Sequence, residues 1–325
     1  MANPIRRAIT AACVSIMALV ATGVQAQQGT YPNKPITFVV PYPAGGATDI
    51  LARLMAQKFS EAWKVPVVVE NKPGAGGTIG NQAVVKATPD GYTVLVAITA
   101  LVQQIDLMKL PYDPLKDLAP LTRIATSTSI LAVPMDTPAN NAKELVELVK
   151  KNPNKFSYGT YGPGTSSHLQ GAVFSTQNGL DLLHVPFKGA APLMTAMLGN
   201  QVSMAFFDAG SSRSQLPKFK LLGVTGTQRL AWLPDVPTLK EQGQTMFEPQ
   251  GWFGFLMPAG TPKPILDKFS NEAIRILAEP DVKKRIEDMG LIVGGDTPEQ
   301  FAKLMRDDAA IYSKIIKDAN IKIEQ

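Results

Sequence analysis

The 325-residue chain has one cysteine, two histidines and 18% charged residues, and these scarcities exclude more than any motif asserts. A single cysteine cannot close an intrachain disulfide, so stability has to come from core size. His168 and His184 stand alone, with no histidine pair at metal-ligand spacing. No G-x-S-x-G elbow and no GxxxxGK[ST] loop occurs, which disfavours a serine hydrolase or a nucleotide-binding enzyme. Lysines and arginines form no cluster interleaved with aromatics, so no nucleic-acid footprint is present. Beyond the first residues no uncharged apolar run is long enough to cross a bilayer.

Those first residues read as an export signal. Arg6 and Arg7 precede an apolar run from Ala8 to about Val24, and Val24-Gln25-Ala26 places small residues where a signal peptidase reads, predicting cleavage after about Ala26. A membrane anchor is the rival reading, but Thr10, Ser15 and Thr22 interrupt the run. Cys13 has most of the hydrophobic length after it, which argues against lipid attachment. The mature chain would then hold no cysteine, as suits a periplasmic domain. Losing two arginines lowers the formal charge from +5 to +3 (5 − 2), a mild bias towards anionic partners.

At 45% hydrophobic residues, the remainder has an ordinary globular balance and length for two domains. Its organising stretch is Pro41 to Asp49, PYPAGGATD. Ile36 to Val40 reads as a strand covered on both faces, and Leu51, Leu54, Met55, Phe59 and Ala62 follow at helical spacing. The chain must therefore turn from strand to helix across Gly45 and Gly46, both expected to use positive φ, with Thr48 or Asp49 as N-cap. Free N–H groups and the positive end of the helix dipole make such a corner an anion seat; a plain tight turn is the rival.

The pattern recurs. Val65 to Val69 reads as a second buried strand before Gly74 to Thr78, a helix follows to Lys86, and Thr93 to Ile98 forms a third strand. Strand and helix alternation predicts a parallel sheet with ligands beyond the strand ends, where Gly45, Gly76 and Thr99 lie. Extended runs at Pro120 to Ile124 and Ile130 to Val133, split by polar Ala125 to Ser129, suggest a crossing between lobes. A helix at Asn141 to Lys151 and a strand at Phe156 to Gly159 lead to a third glycine corner, Gly159 to His168, with Ser166 or Thr165 capping its helix. Later come strands near Leu182 to Phe187, Val202 to Phe207 and Leu221 to Val224, then Trp252 to Met257 and two closing helices. The second helix starts with a capping box at Thr297 and Gln300, and Phe301, Leu304, Met305, Tyr312, Ile315, Ile316 and Ala319 form its apolar stripe.

Six stretches, PYPAGGATDILAR, ENKPGAGGTIG, YGTYGPGTSSHLQG, HVPFKGAAP, WLPDVPTLKEQG and WFGFLMPAGTP, come in an order that resembles the extracytoplasmic solute receptors of the tripartite tricarboxylate transporter family, the Bug proteins. The resemblance implies an α/β fold of the two-lobed type II periplasmic binding class, with two crossing strands closing on a small organic carboxylate. It implies a first lobe of residues 27–122 and 250–325 and a second of 123–249. Ala44, Gly45, Gly46, Thr48, Asp49, Gly76, Gly77 and Thr99 would meet the ligand from the first lobe. From the second would come Gly162, Gly164, Thr165, Ser166, His168, Lys188 and Asp208. The family commonly has Glu where this chain has Ala172, and an acidic residue where Thr195 to Ser203 has none, which counts against an ammonium-bearing ligand.

Several of these residues carry two readings. Asp49 either fixes the loop through backbone N–H groups or meets the ligand through water. His168 is either structural or, with Ser166, turned to the cleft. Lys188 either pairs with a second carboxylate or is a solvated loop lysine, and Tyr161 and Trp252 either wall the pocket or edge the core. The expected function is a periplasmic receptor, monomeric, without cofactor or metal, feeding a cation-driven permease. A receptor signalling to a membrane sensor kinase is the alternative, and a carboxylate-processing enzyme a remote one.

Overall fold

The computed structural model describes residues 31–247, 250–318 and 321, and the expected signal segment and Ala319 lie outside them. The chain divides into Met1–Asn33, of which 31–33 are described, and Lys34–Gln325. Every described helix and strand belongs to the second unit.

Its first sheet takes β1 (Ile36–Val40), β2 (Val67–Asn71) and β3 (Thr93–Ile98) in parallel, linked by α1 (Ala47–Trp63) and α2 (Thr78–Val85). A short helix α3 (Ala100–Gln103) follows β3 directly. β4 (Leu118–Ser127) stays in this sheet, and β5 (Ser129–Val133) begins a second one a residue later. That sheet is filled by β6 (Ser157–Thr160), β7 (Leu183–Pro186), β8 (Met204–Asp208) and β9 (Lys220–Val224). Its helices are α4 (Ala142–Lys150), α5 (Ser166–Gln177), α6 (Ala190–Leu198) and α7 (Ala209–Ser212). β10 (Gly251–Pro258) returns to pair antiparallel with β3 and β4. α8 (Lys263–Leu277), α9 (Pro280–Asp288), β11 (Ile292–Val293) and α10 (Pro298–Asp318) complete the first lobe. The strand orders are β11-β4-β10-β3-β1-β2 and β7-β6-β8-β5-β9.

Aromatic packing fixes the first lobe. Phe38 of β1, Phe59 of α1, Phe255 of β10 and Phe269 of α8 are fully buried on one face, with Phe59 and Phe269 stacked at 4.6 Å. Each such side chain contributes about 1.5–3 kcal/mol by burial. On the other face Phe301 of α10 lies edge-on to Trp252 at 5.1 Å and fills the space above Gly254, where a Cβ would come within 2.3 Å of its ring. The capping box is made: Thr297 N–H donates to Gln300 Oε1, and Gln300 N–H to Thr297 Oγ1.

Several expectations are corrected. β2 is the sheet's edge, so its residues alternate between half-buried and exposed rather than being buried throughout. Thr126 and Ser127, though polar, remain in β4 with Ala125 because β10 supplies their ladder partners. Three helices close the chain, since Pro280 opens α9 where Ala278 ends α8.

Candidate functional site

The parallel strands β1, β2 and β3 end side by side, and their following loops form the first part of the site. Gly45 takes φ +86, but Gly46 has an ordinary φ of −78 and is itself the N-cap of α1, in place of Thr48 or Asp49. The reason is Asp49. Its Oδ2 accepts the Gly45 N–H at 2.9 Å, its Oδ1 accepts from Asn71 Nδ2 at 3.0 Å, and Arg53 pairs with it. Burial pulls this carboxyl up, but hydrogen bonds from Arg53, Gly45 and Asn71 outweigh it and leave the pKa lowered. With Asp49 3% exposed and its oxygens occupied, the loop-fixing reading is the one its contacts fit.

The corner this creates is open. Ala44, Gly45 and Gly46 are exposed, and a Cβ on Gly46 would meet only Pro43 O, at 3.8 Å. No internal contact requires glycine there. The N–H groups of Gly46, Ala47, Thr48 and Asp49 make no hydrogen bond among the described residues, so the start of the 17-residue α1 presents free donors.

The second glycine turn leans on the first. Asn71 Nδ2 also donates to Tyr42 O, and a Cβ on Gly77 would come within 2.8 Å of the Tyr42 hydroxyl. Gly76 takes φ +65, and its carbonyl accepts from Gln104 Nε2 at 2.9 Å. Thr99 is placed differently from its expected role. It is 2% exposed and its Oγ1 accepts the Trp252 N–H at 2.6 Å, so the hydroxyl is held in the β3–β10 ladder.

In the second lobe β6, β7 and β8 likewise end together. Thr165 is the N-cap of α5, although its hydroxyl donates back to Gly162 O at 2.7 Å rather than capping the helix. Gly162 (φ +127) and Gly164 (φ +73) shape the corner. Ser166 Oγ meets Gln103 of α3 at 3.1 Å, which brings the third corner to the element next to the second. Lys188 is exposed and makes no ion pair or hydrogen bond among the described residues. Asp208 ends β8, and its N–H donates to the Tyr161 hydroxyl at 2.8 Å.

His168 is engaged within the second lobe. It is 6% exposed, its Nδ1 accepts the Gly164 N–H at 3.1 Å, and its ring stacks on His184 at 4.1 Å. Burial, then the neighbouring imidazole, pushes its pKa down to about 4. Thr160 Oγ1 accepts the Gly162 N–H and hydrogen-bonds with His184 Nε2, 2.8 Å away. Both histidines thus brace the third corner from inside. Trp252 is a core residue too, its indole N–H donating to Asp308 Oδ2 at 2.9 Å.

Gln103, Gln104, Tyr42 and His184 were not among the sequence candidates. Tyr42, His184 and Asn71 at least sit inside the quoted stretches; two glutamines in and just after a four-residue helix give no signal of their own. A cavity of about 420 Å³ lies away from the glycine corners, between β4, β10 and α10, lined by Trp252, Leu304, Asp308 and Ile311 among others. Among the described residues no group of three or more metal-ligating side chains gathers, and no helix is long and apolar enough to cross a membrane.

Known proteins agree with this architecture. A protein of Pseudomonas sp. strain P51, described as the UPF0065 protein of the tcbD-tcbE intergenic region, is 34% identical over 100% of this chain and 98% of its own length. The structure of periplasmic binding protein BugD is 36% identical and superposes with a TM-score of 0.80, covering 90% of this chain and 100% of that one. An R. palustris protein solved with adipate is 28% identical, with a TM-score of 0.83 over 90% of this chain and 99% of its own. BugD is a periplasmic binding protein, and this chain has the two-lobed α/β fold of these solved structures. The model of the tripartite tricarboxylate transporter family receptors matches residues 51–321, and the chain belongs to that family.

Proposed function

We propose that this protein is a periplasmic receptor that captures a small organic carboxylate between its lobes and delivers it to the cation-driven permease of a tripartite tricarboxylate transporter. One observation carries the reading: α1 begins with free N–H donors beneath Gly46, a glycine that neither backbone angle nor internal packing requires. A glycine left bare at a helix N-terminus admits an anion to the backbone. Family membership and an adipate-bound neighbour support the same class of ligand.

In this reading Ala44, Gly45, Gly46, Thr48, Gly76 and Gly77 form the carboxylate seat, with Asp49 holding it in shape. Gly162, Gly164, Thr165, Lys188 and Asp208 face it from the second lobe, and Lys188 takes a second carboxylate. The lobes are 27–122 with 250–325, and 123–249. The sheet change at Thr128 supports a first crossing a few residues later than 122. Export follows from the signal segment, cleaved after about Ala26. Contacts from both lobes stabilise the closed form over the open one.

The test is a thermal-shift screen of the purified protein against dicarboxylates, tricarboxylates, aromatic acids and amino acids. A rise in Tm with an organic acid supports the reading; no response to any of them overturns it. Co-purification with a sensor kinase instead of the permease would replace delivery with signalling.

A further inference from the structure

Two adjacent, almost fully buried glutamines, the last residue of α3 and the one after it, point to different parts of the site. Gln104, 2% exposed, donates from Nε2 to the carbonyl of Gly76 and so holds the second glycine turn of the first lobe. The fit is close, since a Cβ on Gly76 would lie 2.6 Å from that nitrogen. Gln103, 1% exposed, reaches the other way. Its Nε2 lies 3.1 Å and its Oε1 3.3 Å from Ser166 Oγ, at the first residue of α5 in the second lobe. Tyr312 of α10 lines the same small gap as Gln103 and Ser166.

We infer that Gln103 is a positioning residue for ligand capture, tethering the second lobe through Ser166 to the helix whose next side chain holds the first-lobe seat. The inference rests on the reading of the glycine corners as a ligand site. It also reassigns Ser166, whose hydroxyl is engaged by Gln103 instead of standing free for a ligand. The two lobes also meet at the crossings, where the chain changes sheet at 127–129 and again at 224–251, in a shared apolar cluster, and where Arg213 reaches the carbonyls of Glu287 and Asp288. A part-buried hydrogen bond between lobes restricts their relative rotation without touching ligand. Because Gln103 and Gln104 are consecutive, a shift of α3 that accommodates ligand at Gly76 moves the tether as well.

A ligand-independent measurement tests this separately from the functional reading. Spin labels at Glu61→Cys in α1 and Asp181→Cys before β7, both exposed, report interlobe distance by electron double resonance in the full-length chain carrying Cys13→Ser. Gln103→Leu and Ser166→Ala should each broaden the distance distribution, and the double variant should look like either single one. One hydrogen bond of about 1 kcal/mol corresponds to about a fivefold change in the population of the tethered geometry. Gln103→Glu, which can accept from Ser166, should restore much of the parent distribution. Melting curves of all variants identify any that fail to fold; if Gln103→Leu does, Ser166→Ala, a smaller change, carries the test. Unchanged distributions in both single variants, or additive broadening in the double, would overturn the tether. If adipate binding is then measured, Ser166→Ala should cost no affinity in the Gln103→Leu background; a further loss there would show Ser166 contacting ligand directly and overturn its reassignment.

Discussion

Asp49 reaches back four residues to accept the Gly45 N–H at 2.9 Å, and this one bond sets the shape of the first glycine corner. Without it the backbone before α1 would rest on the Asn71 Nδ2 bond to Tyr42 O to hold it against the strand ends. Asp49→Ala should therefore lower stability by about 1–3 kcal/mol in urea denaturation, the range for losing a buried charged acceptor. It should also weaken ligand response. Asp49→Asn, which keeps one acceptor oxygen, should recover part of both. The folded pKa is lowered, so this stabilisation is present above the unfolded value near 3.8 and is lost as pH falls through the folded one.

Gly46 and Gly76 make a contrasting pair. Gly46 has φ −78 and space around it, so Gly46→Val should fold with a loss under about 1 kcal/mol yet abolish the thermal shift given by the cognate acid. Gly76 has φ +65 and Gln104 against it, so Gly76→Ala should destabilise the fold itself, by about 1–3 kcal/mol. Normal binding by Gly46→Val would show the seat to be elsewhere.

Lys188 is exposed and engaged with no described residue, so its removal costs the fold little. Lys188→Ala should leave Tm in the absence of ligand unchanged while shifting preference from dicarboxylates towards monocarboxylates in a titration calorimetry series. An unaltered ligand order would leave it a solvated lysine.

The stacked histidines predict an acid limb to stability. His168 is held neutral at a pKa of about 4 against 6.5 when unfolded, so between these values the unfolded chain binds the proton and the native one does not. Stability should fall as pH drops from about 6.5 towards 4, by up to about 3 kcal/mol from this residue, with His184 adding to the same slope. His168→Asn, whose amide oxygen can still accept the Gly164 N–H, should flatten most of it in a denaturation series across pH.

Asp308 predicts the opposite sign. Burial raises its pKa to about 6, opposed by the Trp252 indole and by Arg123 and assisted by Asp307. Its favourable contribution is full below the unfolded value of 3.8 and is lost as pH rises through about 6. Asp308→Asn, which keeps an acceptor for Trp252, should be more stable than the parent by about 1–3 kcal/mol at pH 7.5, with no gain at pH 4.

Much of the fold was legible because local patterns decided it. The β-branched run Ile36 to Val40, the helical spacing from Leu51 to Phe59 and the Thr297–Gln300 capping box specify their elements through nearest neighbours alone. The six family stretches fixed the class of the protein in the same way, as linear text. Other features depended on partners far away in the chain. Polar Thr126 and Ser127 became strand because β10, more than a hundred residues later, supplied hydrogen bonds, and Val67 to Val69 became an edge because no strand covered them. The site divides along the same line. Glycine corners show in the sequence because backbone conformation constrains residue type locally. Packing across the sheets instead buried His168 against His184, held the Thr99 hydroxyl at Trp252, and brought Gln103 to Ser166 across 63 residues of chain. Sequence determined which segments could receive an anion; tertiary contact decided which of their side chains were already engaged, since a hydrogen-bonding group satisfied inside the protein is no longer available to a ligand.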